Sequence, residues 1–272
     1  MKRLFVVLSV ILLAAALIGC TSRNGERQLE GLQDGTYYGF SEFNDNNGWA
    51  PFMKLVVEEG IASSVRFDYA HREGGFKSDD AEYARLMESR SGVTPADAAE
   101  ELAGRLLDSG TLPVDTVTGA TASSDWFNRL AEAIIPRAKD GDTRPVLLVP
   151  DRVTYTAEDQ PDERGWIGTI AITYERQTIT SVSYDEIQRT DGEVTASKAA
   201  DPDYARRWEE ASGVVLEQVY ERLGEQLRHE GRASGVDIIS GATAASRRFR
   251  TLAMEAEKKR SPVDFVTLMQ TL

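Results

Sequence analysis

Two stretches of this sequence carry residue types and spacings suited to phosphate chemistry. Asp115-Thr116-Val117-Thr118-Gly119-Ala120-Thr121-Ala122-Ser123-Ser124 and Asp237-Ile238-Ile239-Ser240-Gly241-Ala242-Thr243-Ala244-Ala245-Ser246 both fit D-x-x-[ST]-G-A-T-x-x-S, and they lie 122 residues apart. The glycine lets backbone approach a bulky group, the alanine keeps the next position small, and the threonine hydroxyl can carry an ester. Downstream, Phe127, Leu130 and Ile134 in one copy and Phe249, Leu252 and Ala256 in the other have helical spacing, so each G-A-T is expected at or just before a helix N-terminus. Free N–H groups and the helix dipole favour a negative group there, and a phosphate is the expected occupant. Asp115 and Asp237 are candidates to cap the turn or steady a metal. The competing explanation is a capped helix start with no ligand, since Ser, Thr and Asp are common there for stability alone. Two copies of one ten-residue frame at equivalent places argue against it.

The frames belong to a longer duplication. Gly48-Trp49 matches Gly165-Trp166, and Ser64-Val65-x-Phe67-Asp68 matches Ser181-Val182-x-Tyr184-Asp185, both at an offset of 117. Tyr83-Ala84-Arg85 matches Tyr204-Ala205-Arg206, Ser91-Gly92-Val93 matches Ser212-Gly213-Val214, and Gly110 matches Gly231, all at 121. One four-residue insertion and a later single insertion account for the drift, so a whole domain is repeated. In each copy, strands precede helices. Alternation at Leu55, Val57, Val65 and Phe67 about Glu59-Gly60 predicts a hairpin of Phe52 to Glu58 with Ile61 to Tyr69, repeated by Ile167 to Tyr174 with Thr178 to Tyr184. A helix capped by Thr94, begun by Pro95 and ended by Gly110 follows, and its counterpart uses Val215, Val219, Leu223 and Leu227 before Gly231. The expected fold is α+β, two tandem copies of a small domain with an antiparallel sheet packed by helices. The expected boundaries are a first domain at 34–138, a linker at 139–150 and a second domain at 151–272.

The N-terminus reads as an export signal. Lys2 and Arg3 precede an apolar run from Leu4 to Leu17, and Leu17-Ile18-Gly19-Cys20 resembles a bacterial lipobox. Residues 1–19 are therefore expected to be a lipoprotein signal peptide, Cys20 a lipidated residue in the membrane, and 20–33 a polar tether on the extracytoplasmic side; the alternative is an ordinary signal peptide with a chance cysteine. Several acyl chains, at about 0.8 kcal/mol per CH₂, would hold a polar protein at a membrane. Cys20 is the only cysteine, and there are two histidines, His71 and His229. No disulfide, thiolate metal site, haem attachment or iron–sulfur ligand set can then be written for the mature chain, and a zinc site is not expected. Redox chemistry would need an organic cofactor. The formal charge is −13, and without Lys2 and Arg3 there are 29 basic against 44 acidic residues, or −15. No basic cluster suits a nucleic acid, so none is expected as partner, and an anion held by charge alone would be disfavoured.

D-x-x-[ST]-G-A-T resembles the flavinylation motif of the FMN-binding domain found in the C and G subunits of sodium-pumping NADH:quinone oxidoreductase, in Rnf complexes, and in exported flavin-carrying lipoproteins of extracellular electron transfer. The resemblance covers both repeats, and Ser240 in place of Thr118 stays within the pattern. It implies that an FAD:protein FMN transferase joins FMN through its phosphate to Thr121 and to Thr243, with Thr118, Gly119, Ala120, Ser240, Gly241, Ala242, Asp115 and Asp237 around them. The function it implies is a membrane-anchored electron carrier with two covalent FMN groups, not itself an enzyme, fed by a flavoprotein or quinone-linked donor. A covalent bond also keeps an anionic flavin on an acidic protein. Trp49 and Trp166 are read as core residues, with stacking on a flavin ring as the alternative. Another class remains open, a non-redox surface lipoprotein whose G-A-T stretches are vestigial. Nothing supports a reductase acting directly on a small substrate, since G-x-G-x-x-G is absent.

Overall fold

The computed structural model describes residues 28–272. The expected signal peptide, the lipidation site Cys20 and the first part of the tether lie outside the described residues. The last tether residues do not behave as a tether. Leu32 is buried in the first core, and the Gln33 N–H donates to the Ala138 carbonyl at 2.9 Å. Two apolar side chains, Leu29 and Leu32, in a polar stretch are too weak a periodic signal to reveal this docking.

The first unit begins with an antiparallel meander of β1 (Gly35–Ser41), β2 (Trp49–Glu58) and β3 (Ile61–His71). The β2–β3 turn uses Glu59 and Gly60, both left-handed, as a two-residue hairpin compatible with strand twist requires. Three helices follow, α1 (Ala81–Ser91), α2 (Pro95–Ser109) and α3 (Thr121–Asp140). Thr94 caps α2 through the Asp97 N–H at 3.1 Å, and left-handed Gly110 closes it. The second unit repeats the plan with β5 (Arg152–Glu158), β6 (Ile167–Glu175), β7 (Thr178–Thr190), α4 (Pro202–Ser212), α5 (Leu216–Glu230) and α6 (Thr243–Lys259). The four-residue insertion becomes β8 (Glu193–Ser197), which pairs with β7. The fold is α+β, with two four-stranded sheets.

Each sheet packs one face on its own helices. Leu55 and Phe67 meet Leu102, Leu106, Phe127 and Leu130 in the first core, while Ile170 and Ile172 meet Val219, Leu223, Phe249 and Leu252 in the second. Fully burying such a side chain contributes about 1.5–3 kcal/mol, which places these helix starts firmly against their sheets.

Two assignments by sequence order are corrected. The stretch 139–150, expected to be a linker, contains the last turn of α3 and a strand, β4 (Val146–Leu148), parallel to Gly39–Ser41 at the edge of the first sheet. The C-terminal residues, expected with the second domain, form α7 (Phe265–Thr271), whose Phe265, Leu268 and Met269 cover Phe40 and Phe52 on the other face of the first sheet. The reason is burial. Phe40 and Phe52 point away from α2 and α3 and need a second apolar layer. Between the units, Tyr155 Oη donates to the Asn44 carbonyl at 2.7 Å, and Asn44 Nδ2 donates to the Ser261 carbonyl at 3.0 Å.

Candidate functional site

Both G-A-T stretches form the same turn. Thr121 and Thr243 are the first residues of α3 and α6, and both are exposed. The N-cap positions are Ala120 and Ala242, buried small residues that offer no side-chain acceptor. Among the described residues, the N–H groups of Thr121, Ala122 and Ser123 have no hydrogen-bond partner, which leaves the positive end of the helix dipole uncapped beside the threonine hydroxyl. Replacing a capping side chain by alanine typically costs about 1 kcal/mol, so this is a helix start that an anion would stabilise.

The frame's last serine, not its aspartate, fixes the turn. Ser124 Oγ is fully buried, accepts from the Val117 N–H at 3.0 Å and donates to the Ala120 carbonyl at 3.0 Å. Ser246 repeats this with the Ile239 N–H at 3.1 Å and the Ala242 carbonyl at 2.8 Å. Asp115 and Asp237 are exposed, and neither caps its helix. The Asp115 carbonyl accepts from Arg105, and the Asp237 N–H donates to Gln226, while among the described residues neither carboxylate is hydrogen-bonded. Thr118 and Ser240 are exposed on the same turn. Glycine is demanded by the fold itself, because Gly119 has φ +82° and a Cβ there would lie 2.3 Å from the Ser91 carbonyl oxygen.

The structure brings Gly119, Ala120 and Thr121 to the edge of a cavity of about 490 Å³, opposite residues from β3 and α1. Tyr69, Lys77 and Tyr83 form its far wall, with Arg90 at the rim. Lys77 Nζ lies 4.3 Å from the ring centroid of Tyr69 and 4.3 Å from that of Tyr83, with Trp49 at 5.8 Å. Among the described residues this ammonium has no salt bridge. Tyr69 Oη donates to Ser123 Oγ at 3.4 Å, and burial pushes its phenol above the usual range against that hydrogen bond, so it stays a neutral donor. The arrangement suits an anionic group met by Lys77 and the free N–H groups, while the rings of buried Tyr69 and of Tyr83 already face Lys77. Trp49 is half-buried against the core and meets His71 edge-on at 4.7 Å.

Sequence reasoning did not single out Lys77, Tyr83, Arg90 or Tyr69 as site residues. A signal existed. Tyr83 heads a repeated Tyr-Ala-Arg, and Lys77 matches Lys198 at the same offset of 121. In the second unit, Lys198 lies over Trp166 and Tyr204 at 5.0 and 5.1 Å, but it also donates to Glu186 at 2.7 Å. Arg248 joins the same carboxylate at 2.8 Å and Asp159 at 2.6 Å, and the Asp159 hydrogen bond raises the guanidinium pKa further.

No protein-family model matches the chain. A crystal structure of a Clostridium perfringens protein is similar at 28% identity over 43% of this chain and 97% of that one, with a TM-score of 0.42. A Clostridium thermocellum protein solved by solution NMR is 24% identical over 39% of this chain and 88% of that one, with a TM-score of 0.28. Over 134 residues, the chain is 39% identical to the 15 kDa lipoprotein of Treponema pallidum (strain Nichols), spanning 49% of this chain and 91% of that protein. With that identity across nearly the whole of the smaller protein, this chain belongs to the family of the Treponema pallidum 15 kDa lipoprotein.

Proposed function

We propose that this chain is an exported, membrane-anchored flavoprotein electron carrier, with Thr121 and Thr243 the two acceptor positions for FMN esterified through its phosphate. The observation that carries the reading is the cavity beside exposed Thr121, where an uncapped helix start meets an ammonium that has no salt bridge among the described residues. Family membership supports the anchor, since the relative is named a lipoprotein and Cys20 follows a lipobox-like run. No helix among the described residues is long and apolar enough to cross a membrane. In this reading acyl chains on Cys20 attach the protein.

Bound there, FMN supplies one- and two-electron chemistry. The chain positions and shields it. The α3 N–H groups and Lys77 hold negative charge, Tyr69 and Tyr83 support the ammonium from behind with their rings, and the Tyr69–Ser123 hydrogen bond ties that wall to α3. The donor is a membrane flavoprotein or quinone-linked reductase, and the acceptors are other flavoproteins or external oxidants. The test is in-gel flavin fluorescence under denaturing conditions after co-expression with an FAD:protein FMN transferase. Fluorescence that survives denaturation and vanishes in the Thr121→Ala/Thr243→Ala double variant supports the carrier. A non-fluorescent wild-type band refutes it and leaves the non-redox lipoprotein reading.

A further inference from the structure

The two acceptor positions look alike in sequence, yet their surroundings differ in charge. Their equivalence is fixed by a shared aspartate. Asp68 Oδ1 accepts the N–H groups of Tyr69 and Ser78, at 2.7 and 3.2 Å, and Asp185 Oδ1 accepts those of Glu186 and Ala199, at 2.7 and 3.1 Å. Tyr69 therefore corresponds to Glu186, and Lys77 to Lys198.

In the first unit, the lysine faces a cavity and tyrosine rings. In the second, a carboxylate stands where the tyrosine would be. Glu186 has a side chain only 6% exposed, and it accepts from Lys198 at 2.7 Å, Arg248 at 2.8 Å, Tyr184 at 3.3 Å and Tyr220 at 3.4 Å. Arg248 replaces Trp126 at the offset of 122 and is held again by Asp159 and by the Trp166 carbonyl at 2.7 Å. Two further positions differ. Trp208 stands at the place of Met87, with its indole N–H buried and unpartnered among the described residues, and fully buried Ala245 replaces half-buried Ser123.

From these contacts we infer that the two sites load unequally, that Thr121 is the favoured acceptor, and that Glu186 is the residue that holds back loading at Thr243. The inference rests on the flavin reading above. In the loading reaction, threonine Oγ1 attacks the phosphorus of the FMN half of FAD. The bond from that phosphorus to the bridging oxygen breaks, AMP leaves with that oxygen, and the hydroxyl proton passes to solvent. Both hydroxyls are exposed to this step. What differs is the reception of the new phosphate and ring. At Thr121 they meet an ammonium with no salt bridge among the described residues, and in the second unit the equivalent Lys198, together with Arg248 of the helix that Thr243 begins, is already paired with a buried carboxylate that must first be displaced.

The experiment follows the intact mass of the full chain over time with a purified FAD:protein FMN transferase and FAD. Thr243→Ala reports loading at Thr121, and Thr121→Ala reports loading at Thr243. The expected result is a rate about ten-fold or more higher for Thr243→Ala than for Thr121→Ala. Adding Glu186→Gln to Thr121→Ala releases Lys198 from its carboxylate, with Arg248 still held by Asp159, and should raise the rate several-fold, with circular dichroism confirming that the variant folds. Equal rates in the two single variants overturn the inference and leave the carrier reading standing. An unchanged rate on adding a folded Glu186→Gln overturns the role of Glu186. No adduct in either single variant overturns the carrier reading itself.

Discussion

Ser124→Ala should loosen the turn that presents Thr121, and its effect can be worked from two hydrogen bonds. The Ser124 hydroxyl is fully buried and accepts the Val117 N–H at 3.0 Å. Removing it leaves that N–H without a partner, which costs about 1–3 kcal/mol for a buried donor. The second bond, to the Ala120 carbonyl, matters less, because that oxygen still accepts the Ser124 backbone N–H at 2.9 Å. Alanine's better helix propensity returns about 0.5 kcal/mol. The net expectation is a loss of about 1.5 kcal/mol. With an m-value of about 2–3 kcal/mol/M, the urea midpoint followed by circular dichroism should fall by roughly 0.5–0.75 M. Ser246→Ala should behave similarly, since Ser246 is equally buried and makes the same pair of bonds. A midpoint lowered by less than about 0.2 M in Ser124→Ala would refute the claim that this hydroxyl ties down the turn.

Two further substitutions test neighbouring claims. Gly119→Ala forces a left-handed residue and places Cβ 2.3 Å from the Ser91 carbonyl oxygen, against 2.9 Å from that of Ser212 in Gly241→Ala; left-handed strain alone costs about 1–3 kcal/mol, so both should lower the denaturation midpoint, and Gly119→Ala by more. Glu257 is half-buried, and burial raises its carboxyl pKa against the pull of the Ala233 N–H. Because the folded value lies above the unfolded one, the associated stability is present below the unfolded pKa and is lost as pH rises through the folded value. Glu257→Gln should therefore melt higher than the parent near neutral pH and no higher at a pH below about 4, as thermal melts across that range would show; an equal or lower melting temperature near neutrality contradicts the assignment.

Much of the scaffold was legible because the duplication wrote each signal twice. Glu59-Gly60 set the first hairpin, Thr94, Pro95 and Gly110 punctuated α2, and the spacing of Phe127, Leu130 and Ile134 placed Thr121 at a helix start. What escaped depends on contacts distant in sequence. β4 is three residues long and is a strand only because β1 offers it a free edge. α7 looked like a tail of the second domain, and its role emerges only when Phe40 and Phe52 are seen to need cover. The frame marked the threonines but misassigned the work of its polar residues, since spacing cannot distinguish a capping aspartate from an exposed one, nor show that Ser124 Oγ reaches back to Val117. The cation opposite Thr121 was out of view for the same reason, because Lys77 reaches the site only through the short turn between β3 and α1 that sets it against Tyr69 and Tyr83. Glu186 carried a readable hint, a carboxylate at the position of a tyrosine in the other repeat. Its meaning depended on finding Lys198 and Arg248 around it.

The central claim is a covalent bond at one oxygen atom. Peptide mapping by tandem mass spectrometry, on the full chain co-expressed with an FAD:protein FMN transferase and then denatured and digested, tests it most directly. The account predicts FMN, linked through its phosphate, on the peptide containing Thr121, with fragment ions placing it on that residue. An unmodified Thr121 peptide recovered from a folded chain, alongside a known acceptor protein that the same transferase modified, would contradict it.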